Sequence, residues 1–158
     1  MSLTAIPVQR REIQALTDEY LCALTNVTDG FWNDNIKHSC LWLLSSPKGQ
    51  ACGFYALLKE KPESGEILTA FYLRPAWRSA AAEAFAQAVR RHAVKAAYAA
   101  SCDEMTLSLS MEYAVLTQKK FRCRRSFFAW EQRKCRLPPS RGRVCALLPG
   151  MSCPGCCV

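Results

Sequence analysis

A chain of 158 residues, half of them hydrophobic and 22% charged, is long enough to bury one core and favours a single globular domain. No apolar run approaches the ~20 residues of a membrane span, and the N-terminus lacks the basic and apolar regions of a secretory signal. A cytoplasmic protein without membrane contact is therefore expected. The net charge of +8 is uneven, because residues 119–143 hold ten basic residues against one acid.

The first half of the chain predicts one helix and three strands. "RREIQALTDEYLCAL" predicts an amphipathic helix, and "NVTDGFWNDN" ends it with turn residues. "CLWLLSS" and "ACGFYALLK", separated by "PKGQ", predict an antiparallel hairpin, and "EILTAFYLR" predicts a third strand. The apolar side chains on the predicted helix face are Ile13, Leu16, Tyr20 and Leu24.

The second half predicts a long alanine-rich helix and two further strands. The helix covers roughly residues 79–100, with Ser79 as N-cap and with Phe85 and Val89 on its buried stripe. "EMTLSLS" alternates as a half-buried strand does, "MEYAVLTQKK" predicts a short helix, and "RSFFAWE" a last strand. The whole predicts an α/β (α+β) domain in which helices flank a mixed, mostly antiparallel sheet.

The composition changes after residue 135. Residues 136–158 are rich in proline, glycine and cysteine and show no periodicity, which predicts a tail outside the core. The predicted domain therefore covers residues 1–135.

The order of these elements, with "YLRPAWRSAAAEAF" at its centre, resembles the GNAT (GCN5-related N-acetyltransferase) family over roughly residues 4–132. Leu73, Pro75 and Arg78 match that family's V-x-P-x-x-R pattern at the end of its fourth strand. The resemblance implies that backbone amides of the following turn hold the pyrophosphate of acetyl-CoA, as unpaired amides at a helix N-terminus attract an anion.

The resemblance assigns a set of residues to acetyl-CoA binding. Counted from Arg78, the family's two small positions fall on Ala81 and Glu83; counted from Trp77, they fall on Ala80 and Ala82, which keeps both small. The residues assigned to the cofactor are Tyr72, Leu73, Arg74, Arg78, Ser79, Ala80, Ala81 and Ala82.

The resemblance also implies the catalytic residues. "LSLSMEYAVLTQKKF" is similar to the family's segment that carries a tyrosine acid, but Leu116 stands in the tyrosine position. Tyr113, one helical turn earlier, is the candidate proton donor to the thiolate. Glu66 opens the third strand, where several relatives place the base that deprotonates the amine. Phe31 and Trp32 fall where the family lines the acceptor pocket.

Structural roles compete with each of these assignments. Glu66 can be a solvated side chain after a turn, Tyr113 a packed aromatic, and Phe31 and Trp32 core residues. The alanines after Arg78 can simply start a helix.

The basic segment, residues 119–143, can be a solvated face, attract the phosphates of CoA or bind nucleic acid. In the tail, Cys153 and Cys156 have C-x-x-C spacing, but without a second such pair reactive thiols are favoured over zinc, and no metal site is predicted.

The predicted function is acetyl-CoA-dependent N-acetyl transfer to a primary amine, of a small molecule or a peptide, by direct attack in a ternary complex. The alternatives are a non-catalytic GNAT-like module that binds a ligand or partner, and a basic nucleic-acid-binding protein.

Overall fold

The computed structural model describes residues 3–24, 36–59, 66–100, 102–118, 120–124 and 127–131. The helices are α1 (Gln14–Ala23), α2 (Ala81–Arg91) and α3 (Glu104–Leu116), with 3-10 turns at Arg10–Ile13 and Pro75–Ala80. The strands are β1 (Thr4–Val8), β2 (Cys40–Ser45), β3 (Ala51–Leu58), β4 (Ile67–Leu73), β5 (Ala96–Ala97), β6 (Ala99–Ala100), β7 (Lys120–Arg124) and β8 (Phe127–Glu131). The tail predicted after residue 135 lies outside these ranges, so that boundary stays a prediction.

The strands form two sheets. One has the order β1-β2-β3-β4-β5 and is antiparallel except for the β4–β5 pair, and the other has the order β6-β8-β7. The predicted mixed, mostly antiparallel sheet flanked by helices is confirmed, as are the hairpin, the third strand and the last strand. No helix in the described part of the chain is both long enough and apolar enough to cross a membrane.

The core lies on both faces of the larger sheet. Because side chains alternate along a strand, Tyr55 of β3 and Phe71 of β4 pack on the face covered by α2 and α3. Their neighbours Phe54 and Tyr72 pack on the opposite face with α1. All seven residues of β4 are buried, so this strand lies at the centre of the domain.

Two predicted elements are wrong. "EMTLSLS" is not a strand but the first half of α3, whose N-cap Asp103 accepts a hydrogen bond from the Thr106 amide at 3.0 Å. The buried face of α3 consists of Thr106, Ser110 and Ala114, four residues apart. Met105, Leu109 and Tyr113, also four residues apart, pack partly buried against the core. Because Leu107 and Met111 lie between them, the apolar residues also alternate, and this alternation led to the wrong prediction of a strand.

The long alanine-rich helix is also shorter than predicted. It ends at Arg91, where Ala93 adopts the left-handed conformation with φ 48°, and the alanines beyond form β5 and β6. Its N-cap is Ala80, not Ser79, and no side chain caps it. Strands β1 and β7 were not predicted.

A β-bulge interrupts the pairing of β3 with β4. Ala56 pairs with Ala70 and Leu57 with Leu68, so Thr69 is an extra residue on β4. The Thr69 hydroxyl donates to the Ala56 carbonyl at 3.3 Å. Since a bulge bends its strand and increases the local twist, the direction of β4 changes at Thr69.

Gly53→Ala is expected to destabilise the domain. A Cβ at Gly53 would clash with the Tyr72 carbonyl oxygen and lie 2.9 Å from the Leu73 Cα, both backbone atoms. Because β3 and β4 would have to move apart to accommodate the methyl group, the free energy of unfolding should fall by about 3 kcal/mol. Gly49→Ala is the control, because its Cβ meets open space and only its φ of +77° is strained, at about 1 kcal/mol. Urea unfolding measures both, and equal losses would contradict a close β3–β4 contact.

Candidate functional site

The structure opens where β4 and β5 separate. Their parallel pairing covers only two residues of each strand, and the Tyr98 amide still donates to the Leu68 carbonyl at 2.8 Å. The chain then continues into β6, which pairs with β8 in the other sheet. On the β4 side, the Phe71 carbonyl accepts a hydrogen bond from the Thr106 hydroxyl of α3 at 3.1 Å. In the part of the chain that the structure describes, the edge of β4 opposite β3 therefore faces α3 beyond the bulge instead of a strand.

A cavity of about 410 Å³ lies at this opening. It is bounded by the end of α1, the end of β4, the turn into α2 and the start of α3. Its lining residues are Tyr20, Ala23, Leu24, Phe71, Tyr72, Arg78, Ala81, Cys102, Asp103, Glu104, Met105, Ser108 and Leu109.

Three of the residues predicted to bind acetyl-CoA line this cavity: Tyr72, Arg78 and Ala81. Of the others, Leu73 and Ala80 are buried in the core, and Ser79 and Ala82 are exposed. The structure therefore brings only part of the predicted set together. Arg78 is exposed at the surface, and it is not part of any ion pair within the described ranges.

Arg74 makes contacts within the fold. Its guanidinium donates to both carboxylate oxygens of Glu19 in α1, at 2.9 and 2.6 Å, and to the Ala51 carbonyl at 3.1 Å. The hydrogen bonds between the two side chains lower the pKa of Glu19 and raise that of Arg74. The bidentate pair fixes α1 to the end of β4, beside the cavity.

The turn that follows Arg74 uses some of its own amides. In this 3-10 turn the Trp77 amide donates to the Arg74 carbonyl at 2.8 Å, and the Ala81 amide donates to the Arg78 carbonyl. Because no side chain caps α2, the positive end of its dipole is still available to an anion.

Tyr20 and Asp103 meet at the cavity, although sequence reasoning did not select them as functional. The Tyr20 hydroxyl donates to Asp103 Oδ2 at 2.7 Å, while Oδ1 accepts from the Thr106 amide. Burial raises the pKa of Asp103, although both hydrogen bonds oppose that shift. The pattern D-x-x-T in "SCDEMT", which is typical of a helix N-cap, could have indicated Asp103.

Glu66, the predicted base, lies at the other end of β4 and does not line the cavity. Its Oε2 is 3.3 Å from His92 Nδ1, and His92 Nε2 is 2.9 Å from the Tyr55 hydroxyl. The Trp42 ring covers the imidazole at a centroid distance of 4.4 Å. Burial lowers the pKa of His92 and raises that of Tyr55 to about 12.

Tyr113, the predicted acid, does not line the cavity either. It packs edge-on against Phe85 of α2, with ring centroids 6.0 Å apart. The predicted acceptor residues Phe31 and Trp32 lie outside the described residues, and so does the cysteine-rich tail.

Comparison with known proteins identifies a family and a fold. The family description "Acetyltransferase (GNAT) domain" matches residues 9–127. A search of curated proteins found no significant match.

Three solved structures share the fold at low sequence identity. An acetyltransferase of the GNAT family from Colwellia psychrerythraea is 16% identical with a TM-score of 0.58, and the match covers 71% of this chain and 41% of that one. A GNAT-family acetyltransferase from Staphylococcus aureus Mu50 is 11% identical with a TM-score of 0.53, and the match covers 82% and 99%. YhhK from E. coli, solved with bound coenzyme A, is 12% identical with a TM-score of 0.52, and the match covers 84% and 100%. The chain thus spans less than half of the Colwellia protein.

The lowered pKa of His92 predicts a loss of stability in mild acid. Desolvation favours the neutral imidazole in the folded state, although Glu66 opposes this and Arg91 adds to it. Below pH ~6.5 the unfolded chain then binds more protons, so the free energy of unfolding should fall as the pH falls through the folded-state pKa. The free energy of unfolding should fall less steeply with pH in His92→Gln than in the wild type. It should fall as steeply as in the wild type in His38→Gln, which alters an exposed histidine. Urea unfolding between pH 5 and 8 measures it, and parallel curves for wild type and His92→Gln would contradict the prediction.

Proposed function

Because the chain belongs to the GNAT family of acetyltransferases, we propose that it transfers the acetyl group of acetyl-CoA to a primary amine by direct attack within a ternary complex. The main support is the separation of β4 from β5, which leaves a cavity of about 410 Å³ at the end of β4. This volume is within the usual range for small-ligand sites.

The cavity fits an extended chain that carries amide groups, such as the pantetheine arm of acetyl-CoA. Within the described residues, no strand lies beside β4 beyond Thr69 on the edge away from β3, and an extended ligand can add to such an edge through main-chain hydrogen bonds. Phe71 and Tyr72 supply apolar and aromatic surface next to this edge.

The phosphates of acetyl-CoA fit the turn between β4 and α2. Arg78 contributes a positive charge to the cavity wall, and the uncapped N-terminus of α2 adds the positive end of its dipole. The Ala81 amide already donates within the turn. The charge of Arg78 and the helix dipole would therefore contribute more to phosphate binding than free backbone amides would.

The chemistry requires a neutral amine and a proton for the leaving thiolate. When bound, acetyl-CoA supplies the thioester carbonyl that the amine attacks. Glu66 as base and Tyr113 as acid remain our proposals from the family resemblance. Neither lines the cavity, so each would act through water or after its side chain has moved.

A non-catalytic module that uses the same cavity is the second candidate. Two observations favour it: the Ala81 amide at the end of the turn is already hydrogen-bonded, and Tyr113 of α3 is packed against Phe85 of α2. Turnover, measured beside acetyl-CoA binding, separates the two candidates. Nucleic-acid binding by residues 119–143 stays a prediction from sequence.

Arg78→Glu should weaken acetyl-CoA binding more than tenfold, about 1.4 kcal/mol or more, because it reverses a charge beside the phosphates. Arg11→Glu makes the same charge change at an exposed position before α1 and should leave affinity within about twofold. Calorimetry with acetyl-CoA measures both. Unchanged affinity in Arg78→Glu would mean that this turn does not hold the phosphates.

If the family resemblance assigns the base and the acid correctly, Glu66→Gln and Tyr113→Phe each lower turnover, because a positioned acid or base contributes about 10²–10⁴ in rate. Neither change should alter the affinity for acetyl-CoA. The measurement is thiol release with a panel of primary amines, run first on the wild type. Full activity in both variants would remove these two residues from the mechanism.

A further inference from the structure

Tyr20 and Asp103 bring a second pair of ionisable groups into the cavity at the end of β4. Tyr20 lies in the last turn of α1, and Asp103 is the N-cap of α3, so the pair forms only in the folded chain. Both residues line the cavity, and neither the family resemblance nor the GNAT match assigns them a role.

Because an ionised carboxylate can only accept, the Tyr20 hydroxyl is the donor in the hydrogen bond to Asp103. The Tyr20 hydroxyl donates to Asp103 Oδ2 at 2.7 Å, and Asp103 Oδ1 is held by the Thr106 amide at 3.0 Å. With its only hydrogen directed at Asp103, the phenol oxygen interacts with a substrate only as an acceptor. It would therefore receive a proton from an ammonium group in the cavity.

We propose that Tyr20 and Asp103, which line the cavity, form the relay that deprotonates the acceptor amine in place of Glu66, which lies at the other end of β4. The N–H bond of the ammonium breaks as its proton moves to the Tyr20 oxygen, and the Tyr20 proton moves to Asp103 Oδ2 in the same step. The amine becomes neutral, the phenol stays neutral, and the carboxylate becomes a carboxylic acid. This rests on the proposed acetyl transfer and names Tyr20 as a catalytic residue, with Asp103 acting through it.

Burial makes Asp103 a suitable final acceptor. Asp103 is 3% exposed and Tyr20 is 2% exposed. Desolvation raises the pKa of Asp103, which brings this carboxyl closer in basicity to an amine than a solvated aspartate would be. The Thr106 amide keeps Oδ1 in place while Oδ2 takes the proton.

The relay defines a class of acceptor. It serves amines that arrive protonated, such as alkylamines, whereas a weakly basic amine that is neutral near pH 7 needs no deprotonation. The charged lining residues are Asp103 and Glu104 at the start of α3 and Arg78 in the turn into α2, so the side of the cavity formed by α3 favours a cationic acceptor over an anionic one. Dependence on the relay should therefore increase with the basicity of the acceptor.

The test compares Asp103→Asn and Tyr20→Phe with the wild type. Asparagine caps a helix as well as aspartate does, so Asp103→Asn keeps the start of α3 but removes the proton acceptor. Turnover of an alkylamine near pH 7 should fall about 10²–10⁴-fold in both variants, with unchanged affinity for acetyl-CoA by calorimetry. Thr17→Val, which removes another buried hydroxyl of α1 bonded to the Gln14 carbonyl, should keep wild-type turnover.

Two readouts distinguish a relay from a structural role. Methoxyamine, a primary amine that is neutral near pH 7, should be acetylated at similar rates by all the variants, and alkylamine turnover in Asp103→Asn should recover as the pH rises. In the protein without ligand, the carboxyl ¹³C shift of Asp103 should titrate above the ordinary aspartate range. It should titrate higher still in Tyr20→Phe, because the Tyr20 hydrogen bond lowers that pKa.

Wild-type turnover of alkylamines that is undiminished in both variants would overturn the relay and leave the proposed acetyl transfer intact. An equal loss with methoxyamine and alkylamine would also overturn it, because that result indicates structural damage. Absence of wild-type turnover with every amine, despite acetyl-CoA binding, would overturn the proposed function and the relay with it.

Discussion

The extra residue Thr69 in β4 determines how the rest of the site is arranged. On one side of it β4 pairs with β5, and on the other side the two strands part. A continuous parallel sheet would have used the β4 edge for hydrogen bonds to its neighbour. Because β4 turns away, one of its carbonyls bonds instead to the Thr106 hydroxyl of α3, and a cavity forms between the strand and that helix.

Two contacts hold the walls of this opening at the correct distance. The bidentate Arg74–Glu19 pair ties α1 to the end of β4, and the Tyr20–Asp103 hydrogen bond ties α1 to the start of α3. Both connect residues far apart in sequence, so the cavity exists only when the three elements are packed together. At partly exposed positions an ion pair contributes little to stability, so we interpret Arg74 as a residue that sets geometry.

Sequence patterns predicted the central hairpin, the third strand and the turn around Arg78, because long apolar runs and turn residues are local signals. They failed at α3, because its apolar residues fall at every second position and its fully buried face, Thr106, Ser110 and Ala114, is small or polar. They also placed Tyr20 correctly on a buried face of α1 but could not reveal its hydroxyl's partner, which lies 83 residues away. Arg74, which was predicted to bind the cofactor, was not recognised as the partner of Glu19, because the two residues are also far apart in sequence.

Amide hydrogen exchange with and without saturating acetyl-CoA is the most direct test of a cosubstrate site between β4 and α3. Exchange should slow at the end of β4, in the turn that leads into α2 and at the start of α3, and should stay unchanged in β1 and the last turn of α2. A second cavity of about 300 Å³ lies between β1 and the far part of α2. Protection confined to that region, or no protection at all, would contradict the account.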